Sequence, residues 1–275
     1  MDHAVLVAHR ERQERFRREG YFSGLRIVKA LDVLDAEFLR GANVLDIGAG
    51  ECLLSEALAF AMDTEQVWAL DAVPKQIWAA AEQHPDSERL KFVLADASDS
   101  PFADGSFDLV VANLVLHHVE PLQPLAREAI RVLRPGGILA AFEPNPIVEH
   151  VVDLVTRRKT SENEGLLTRG RAENALRDVG FESVKSGYWW SRFETQRMQA
   201  LSPGIRFFAT KPGSGVARGR PVSFRRDLTP MALKGLAMDS TCRFADLALR
   251  QETEILGLLG DIDGRRGTID PGAKL

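Results

Sequence analysis

The sequence predicts an α/β fold in which helices wind over both faces of a parallel sheet. Two observations predict it. Between Asn43 and Phe142, short apolar runs of strand length alternate with stretches of helical character, and several of the runs stop on Asp or Gly. Strands buried on both faces read as nearly continuous apolar runs, and parallel neighbours need a crossover connection, usually a helix, between them.

Residues 1–40 are expected to be helical, because Leu25, Val28, Leu31, Val33, Leu34 and Phe38 recur at roughly helical spacing among charged residues. Val44-Leu45-Asp46-Ile47 then reads as a buried strand entering the tight turn Gly48-Ala49-Gly50, with a helix over Leu53–Met62. Gln66–Leu70 is a strand ending at Asp71, and Pro74 suits the first turn of a helix running to Gln83. Leu90–Ala95 is a strand ending at Asp96, and Phe107–Asn113 is another. Pro121–Leu133 is a helix stopped by Arg134-Pro135-Gly136-Gly137, and Ile138–Phe142 is the next strand. A helix over Gly170–Val179 and strands at Phe181–Tyr188 and Ile205–Thr210 follow. Beyond Gly213 the one further element is an amphipathic helix near Thr241–Leu259. Its docking on another subunit, over a substrate site or on the back of the sheet is left open by the sequence.

The 275 residues suffice for one large domain with extensions. A 45% hydrophobic and 27% charged composition is that of a globular protein, and the formal net charge of -4 argues against a phosphate-binding nucleic-acid protein. Cys52 and Cys242 form no CxxC spacing, which removes a disulfide framework and gives no zinc signature. The run Arg10–Glu19 has no apolar core of signal-peptide length, and no segment approaches roughly 18 consecutive apolar residues. The expectation is a cytoplasmic protein with no membrane span.

The glycine turn after the first strand lets the backbone turn sharply and lets a ligand approach it. Alone it would fit many nucleotide folds, but Asp46, two residues before it, would repel a pyrophosphate and suits a ligand bearing an ammonium group. A dinucleotide G-x-G-x-x-G also fails, because its third glycine would fall at Leu53. Asp71, about twenty residues on, is placed to accept from a ribose diol, and Asp96-Ala97 from an adenine amino group. Taken singly, a strand-end Asp is more often a turn or cap residue; three on successive strands weaken that reading.

These residues carry a family resemblance. The stretches Val44–Gly50, Leu70-Asp71, Ala95-Asp96-Ala97, Pro101–Val110, Asn113–His118 and Arg131–Gly137 resemble, in order and spacing, class I S-adenosylmethionine-dependent methyltransferases, particularly those acting on small molecules. The resemblance spans roughly residues 40–212. It implies a doubly wound, Rossmann-like seven-strand sheet, mostly parallel with the last strand antiparallel. It also implies an N-terminal helical cap (1–40), a cofactor-binding domain (41–212) and a partly helical C-terminal extension (213–275). The cofactor implied is S-adenosyl-L-methionine, released as S-adenosyl-L-homocysteine. Asp46, Gly48, Ala49 and Gly50 would surround its methionine part, Asp71 and Ala72 its ribose, and Asp96 and Ala97 its adenine. Asn113 and Leu114 would line the methionine side and face the acceptor. Where the family often has another glycine, this chain has Cys52, either a narrowing of the site or a buried inert thiol.

The implied reaction is methyl transfer to a small organic acceptor, at oxygen or nitrogen rather than carbon. A base is required only where the acceptor loses a proton. His117 and His118 follow the fourth strand, which the resemblance places beside the fifth, so strand spacing of ~4.8 Å would bring Glu143, at the end of the fifth, beside one of them. The expectation is that His117, oriented by Glu143, is that base; the alternative is that both histidines only pack around the cofactor. Tyr188-Trp189-Trp190 is either a wall of the acceptor pocket or core. Tyr21 and Phe22 are either a lid or simple helix docking, and Arg157-Arg158-Lys159 either a surface charge run or a grip on an acidic acceptor. No nucleic-acid partner, membrane contact or metal is expected, and the C-terminal extension could support a homo-oligomer. DNA amino-methyltransferases of this superfamily carry Asn/Asp-Pro-Pro-aromatic where this chain has Asn113-Leu114-Val115-Leu116, which argues against that substrate. A methyltransferase-like scaffold without turnover is the reading from a different class.

Overall fold

The computed structural model describes residues 27, 30–34, 36–84, 87–148, 150, 151, 167–189, 202, 204–213 and 222–224. A short helix α1 (Ala36–Leu39) leads into β1 (Asn43–Ile47), α2 (Leu53–Phe60), β2 (Gln66–Asp71), α3 (Pro74–Gln83) and β3 (Leu90–Leu94). Then come β4 (Phe107–Asn113), a 3₁₀ turn (Leu116–His118), α4 (Gln123–Val132) and β5 (Leu133–Pro144). The last elements are α5 (Arg169–Asp178), β6 (Ser183–Trp189) and β7 (Gly204–Thr210).

The seven strands form one sheet in the order β3-β2-β1-β4-β5-β7-β6. β1 pairs in parallel with both β2 and β4, and β4 with β5, whereas β7 lies antiparallel between β5 and β6. The seven-strand, mostly parallel sheet with an antiparallel last strand is therefore the observed fold. Alternation along each strand separates two cores. Leu45, Ile47, Val110 and Ala141 face Leu125 and Ala129 of α4 and Leu176 of α5. Val44, Val67, Val111 and Phe142 face Leu58 of α2 and Ile77 of α3. Each such Leu, Ile, Val or Phe side chain, fully buried, contributes roughly 1.5–3 kcal/mol.

The fifth strand is longer than its apolar core predicts. It begins at Leu133, paired with Phe107, and the register shifts before Leu109 meets Ile138. Pro135 cannot continue the helix, and Gly136 takes φ 76° in the resulting bulge. The Arg134 side chain turns inward to a buried ion pair with Asp108, Nη1 to Oδ2 2.7 Å. At Gly137 an added Cβ would lie 2.9 Å from the Arg134 carbonyl and 3.0 Å from that of Asp108. Arg134–Gly137 thus ends one element and opens the next without a loop. Lys211, at the end of β7, donates from Nζ to the Leu133 carbonyl at 2.7 Å and closes the bulge.

Between β3 and β4 the chain makes no helix. That part of the face is filled by aromatic contacts: Trp68 meets Phe102 and Phe224 edge-on, with ring centroids 5.3 Å apart in both pairs. The Ala103 N–H donates to the Ser223 carbonyl at 2.9 Å. A piece of the C-terminal extension therefore packs on the sheet beside β2. The rest of that extension, including the helix expected near 241–259, lies outside the described residues, as do Tyr21, Phe22, Arg157-Arg158-Lys159, Trp190 and Cys242. No helix among the described residues is long and apolar enough to cross a membrane.

Trp189 belongs to the core. It is buried, its ring 5.1 Å from that of Phe142, and it lies so close to Gly204 that an added Cβ would collide with Nε1. Gly204→Ala is expected to lower stability by about 2 kcal/mol, the scale of overpacking, read as a lower melting temperature. An unchanged melting temperature would refute this packing.

Candidate functional site

In a doubly wound sheet a ligand crevice opens outside the carboxyl ends of the strands, where the strand order reverses. Here that point lies between β1 and β4, and the glycine turn and the Leu114–His118 turn meet across it. Gly48 and Gly50 take φ 66° and 55°, the left-handed region that side chains avoid. A Cβ on Gly48 would also lie 2.5 Å from Cγ2 of Val115, so the two turns are in van der Waals contact.

Cys52 adopts φ 60° as the residue before α2 and is fully buried, its Sγ 3.6 Å from the Gly50 carbonyl. It takes a conformation glycine would take at lower cost. That agrees with the buried reading.

The three strand-end carboxylates do different things. Asp46 is 1% exposed and accepts from the Ser55 hydroxyl at 2.6 Å, which fixes it beneath α2. Burial pushes its carboxyl up to about 7; the Ser55 hydrogen bond partly opposes this and the nearby Asp71 charge reinforces it. Asp71 accepts from the Gly50 N–H (2.8 Å) through Oδ2 and from the Val73 N–H (2.7 Å) through Oδ1. It therefore ties the glycine turn to β2 while standing at the mouth of the crevice. Asp96 is exposed, and its Oδ1 accepts from both the N–H and the hydroxyl of Ser98 at 2.7 Å. The turn-building role of strand-end Asp residues is thus present at Asp71 and Asp96. Asp96, being exposed, keeps oxygen lone pairs for a ligand.

Asn113 ends β4 one step beyond the Ile47–Ala112 pair, at the level of the glycine turn. Its Oδ1 is buried and has no hydrogen-bond partner among the described residues. A buried acceptor without a donor is costly, and a ligand donor such as an ammonium would relieve it. Leu114 follows with φ 60°, its N–H on the Phe142 carbonyl at 2.8 Å. Ala49 and Ala97 are half-buried and Ala72 is exposed along the same edge.

Glu143, 1% exposed at the end of β5, reaches across to the turn after β4. Its Oε2 lies 2.6 Å from Nδ1 of His117, which joins the expected pair. His118 is exposed, with its ring centroid 3.9 Å from that of His117. The sequence reading missed three partners. Ser55 under Asp46 left no signal of its own, being one hydroxyl in an Ala- and Leu-rich helix. The link from Gly50 to Asp71 needs the β1–β2 register. Asp108 could have been suspected as a lone charge in the apolar run Phe107–Asn113.

The crevice is lined by carboxylates at the carboxyl ends of a doubly wound sheet. Residues 45–141 match the family described as "Methyltransferase domain". The malonyl-[acyl-carrier protein] O-methyltransferase of Methylococcus capsulatus is 31% identical over 146 residues, 52% of this chain and 53% of that protein. The demethylmenaquinone methyltransferase of Beutenbergia cavernae is 39% identical over 113 residues, 41% of this chain and 44% of that one. Phosphoethanolamine N-methyltransferase 2 of Haemonchus contortus, solved with S-adenosyl-L-methionine, shares the fold at TM-score 0.52 and 18% identity, covering 70% of this chain and 53% of that chain. The chain spans about half the length of the curated relatives it matches. Residues 45–141 are thus similar to a methyltransferase domain, and the fold around them is shared with solved methyltransferases.

Proposed function

We propose that this chain transfers a methyl group from S-adenosylmethionine to a small organic acceptor at a hydroxyl oxygen, with His117 as the base. The observation that carries the reading is the contact of His117 with Glu143 beside a crevice whose buried Asn113 oxygen has no donor among the described residues. The residues present fit the cofactor. Asn113 Oδ1 and Asp46 would favour its ammonium group, Gly48, Ala49 and Gly50 would leave room for its backbone-hugging part, and Asp71 with Ala72 would take the ribose. Asp96 and Ala97 would flank the adenine, and Leu114 would face the methionine side. When bound, S-adenosylmethionine supplies a methyl group already activated by a positive sulfur.

The chain's own work is then to align the acceptor and to take up a proton. A carboxylate on Nδ1 fixes the imidazole tautomer and strengthens the other nitrogen as a base. Such a base is superfluous for an amine that attacks as a free base but useful for a phenol, enol or alcohol. The relatives named above act, by their names, on an acyl-carrier-protein malonyl group and on demethylmenaquinone, so acceptor identity varies widely on this fold.

Calorimetry with S-adenosylhomocysteine tests the cofactor reading, since a scaffold that has lost the site would give no heat. Release of S-adenosylhomocysteine on incubation with a panel of phenols, enols and alcohols tests the acceptor class. His117→Ala is expected to keep S-adenosylhomocysteine affinity while turnover falls by about 10²–10⁴. Undiminished turnover in that variant would remove His117 from the chemistry.

A further inference from the structure

We infer that Glu143 is a positioning residue that joins the two halves of the site, one carboxylate oxygen holding the cofactor-side turn and the other the acceptor-side imidazole. Oε1 accepts from the Val115 N–H at 3.0 Å and the Leu116 N–H at 2.9 Å. Oε2 accepts from Nδ1 of His117 at 2.6 Å, with the His117 backbone N–H at 3.4 Å. These donors lie 26–28 residues away in sequence, so a single buried side chain fastens β5 to the turn after β4.

The consequences for the two halves differ. The N–H groups of Val115 and Leu116 open a 3₁₀ turn and have no carbonyl within the turn to accept them. Without Oε1 they would be buried donors lacking an acceptor. The turn they belong to starts at Leu114, held at φ 60°, and Val115 presses on Gly48. Displacing the turn therefore displaces one wall of the glycine turn. On the other side a carboxylate can only accept, so Nδ1 of His117 must carry the proton, and the neutral ring keeps its lone pair at Nε2. Local propensity does not produce this arrangement, because a left-handed leucine is disfavoured. It exists because Glu143 supplies both acceptors.

This inference rests on the functional reading above, and its test separates the two. In Glu143→Gln the amide oxygen can still accept from Val115 and Leu116, while the NH₂ group faces Nδ1 and forces the proton to Nε2. S-adenosylhomocysteine affinity is expected to stay within about threefold of the parent, turnover to fall about 100-fold, and ¹⁵N resonances of the His117 ring to switch tautomer. Those resonances are assigned by their loss in His117→Gln. In Glu143→Ala both amides lose their acceptor, and affinity is expected to fall at least about tenfold. Should that variant not fold, Glu143→Asp, one methylene shorter, replaces it with the same expectation. Unchanged affinity in Glu143→Ala or Glu143→Asp overturns the cofactor-side role. Retention of the Nδ1–H tautomer in Glu143→Gln overturns the acceptor-side role, since a merely structural glutamate would leave the ring's proton where it was. A wild-type protein that binds no S-adenosylhomocysteine overturns the functional reading instead, and the tautomer measured without ligand still decides the hold of Glu143 on His117.

Discussion

Asp46→Asn is expected to stabilise the ligand-free protein at pH 8 while weakening its hold on S-adenosylmethionine. The Asp46 carboxyl is buried beneath α2, and its ordinary value of 3.8 is raised to about 7. Between those values the folded protein keeps a proton that the unfolded chain has released. The contribution of this group to stability is therefore complete below about pH 3.8 and is lost as pH rises through 7. A shift of that size corresponds to about 4 kcal/mol. Asparagine matches the neutral carboxyl in shape, keeps an oxygen for the Ser55 hydroxyl and cannot ionise. The gap between the melting temperatures of Asp46→Asn and wild type should widen from pH 5 to pH 8, reaching about 10 °C. A gap independent of pH, or a less stable variant at pH 8, would contradict the argument. The same charge that strains the empty protein attracts a cationic ligand, so the variant should bind S-adenosylmethionine at least about tenfold more weakly. Wild-type affinity should itself decline as pH falls below about 7, and that decline should be absent from the variant.

What the sequence made legible, and what it did not, follows from the range over which each feature is determined. The helix at Pro74–Gln83 and the strand at Phe107–Asn113 have the expected bounds, because a first-turn proline and an unbroken apolar run are local signals. The β5 start at Leu133 was hidden, since Arg134-Pro135-Gly136-Gly137 has the composition of a helix stop and becomes strand only through pairing with Phe107. The positions of the site residues were readable from strand ends. Their bonds were not: Asp71 holds Gly50 and Asp96 holds Ser98, contacts that depend on how the turns close. Glu143 beside His117 was predictable from strand adjacency, yet the backbone donors Val115 and Leu116 were invisible, because a sequence does not announce which amides a turn leaves over. Cys52 shows the same limit. Its left-handed backbone is a property of the turn, and nothing in the residue type declares it.

Asp108→Ala is expected to be the most destabilising single change, at about 3–5 kcal/mol, because it strands a buried cation. Asp108 and Arg134 are both buried, and Oδ2 accepts from Arg134 Nη1 at 2.7 Å and from the Asn43 N–H at 2.8 Å. One carboxylate oxygen thus fastens β4 to the start of β1 and to the bulge that opens β5. Removing it leaves a guanidinium in the core without that counter-charge and takes an acceptor from a buried amide. The melting temperature should fall by about 10 °C. Replacing both charges, as Asp108→Leu with Arg134→Met, should recover most of the loss, since the desolvation cost of the pair disappears with it. Recovery should stop about 1–3 kcal/mol short because the Asn43 N–H still lacks this acceptor. A double-mutant cycle then separates the two contributions: strong coupling between positions 108 and 134 assigns the loss to the ion pair. Additive effects would assign it to the amide alone. The pair lies at the amino ends of the strands, opposite the crevice. S-adenosylhomocysteine affinity measured well below the melting transition should therefore survive in every one of these variants. Loss of affinity without loss of stability would mean that this end of the sheet is not a passive footing for the crevice.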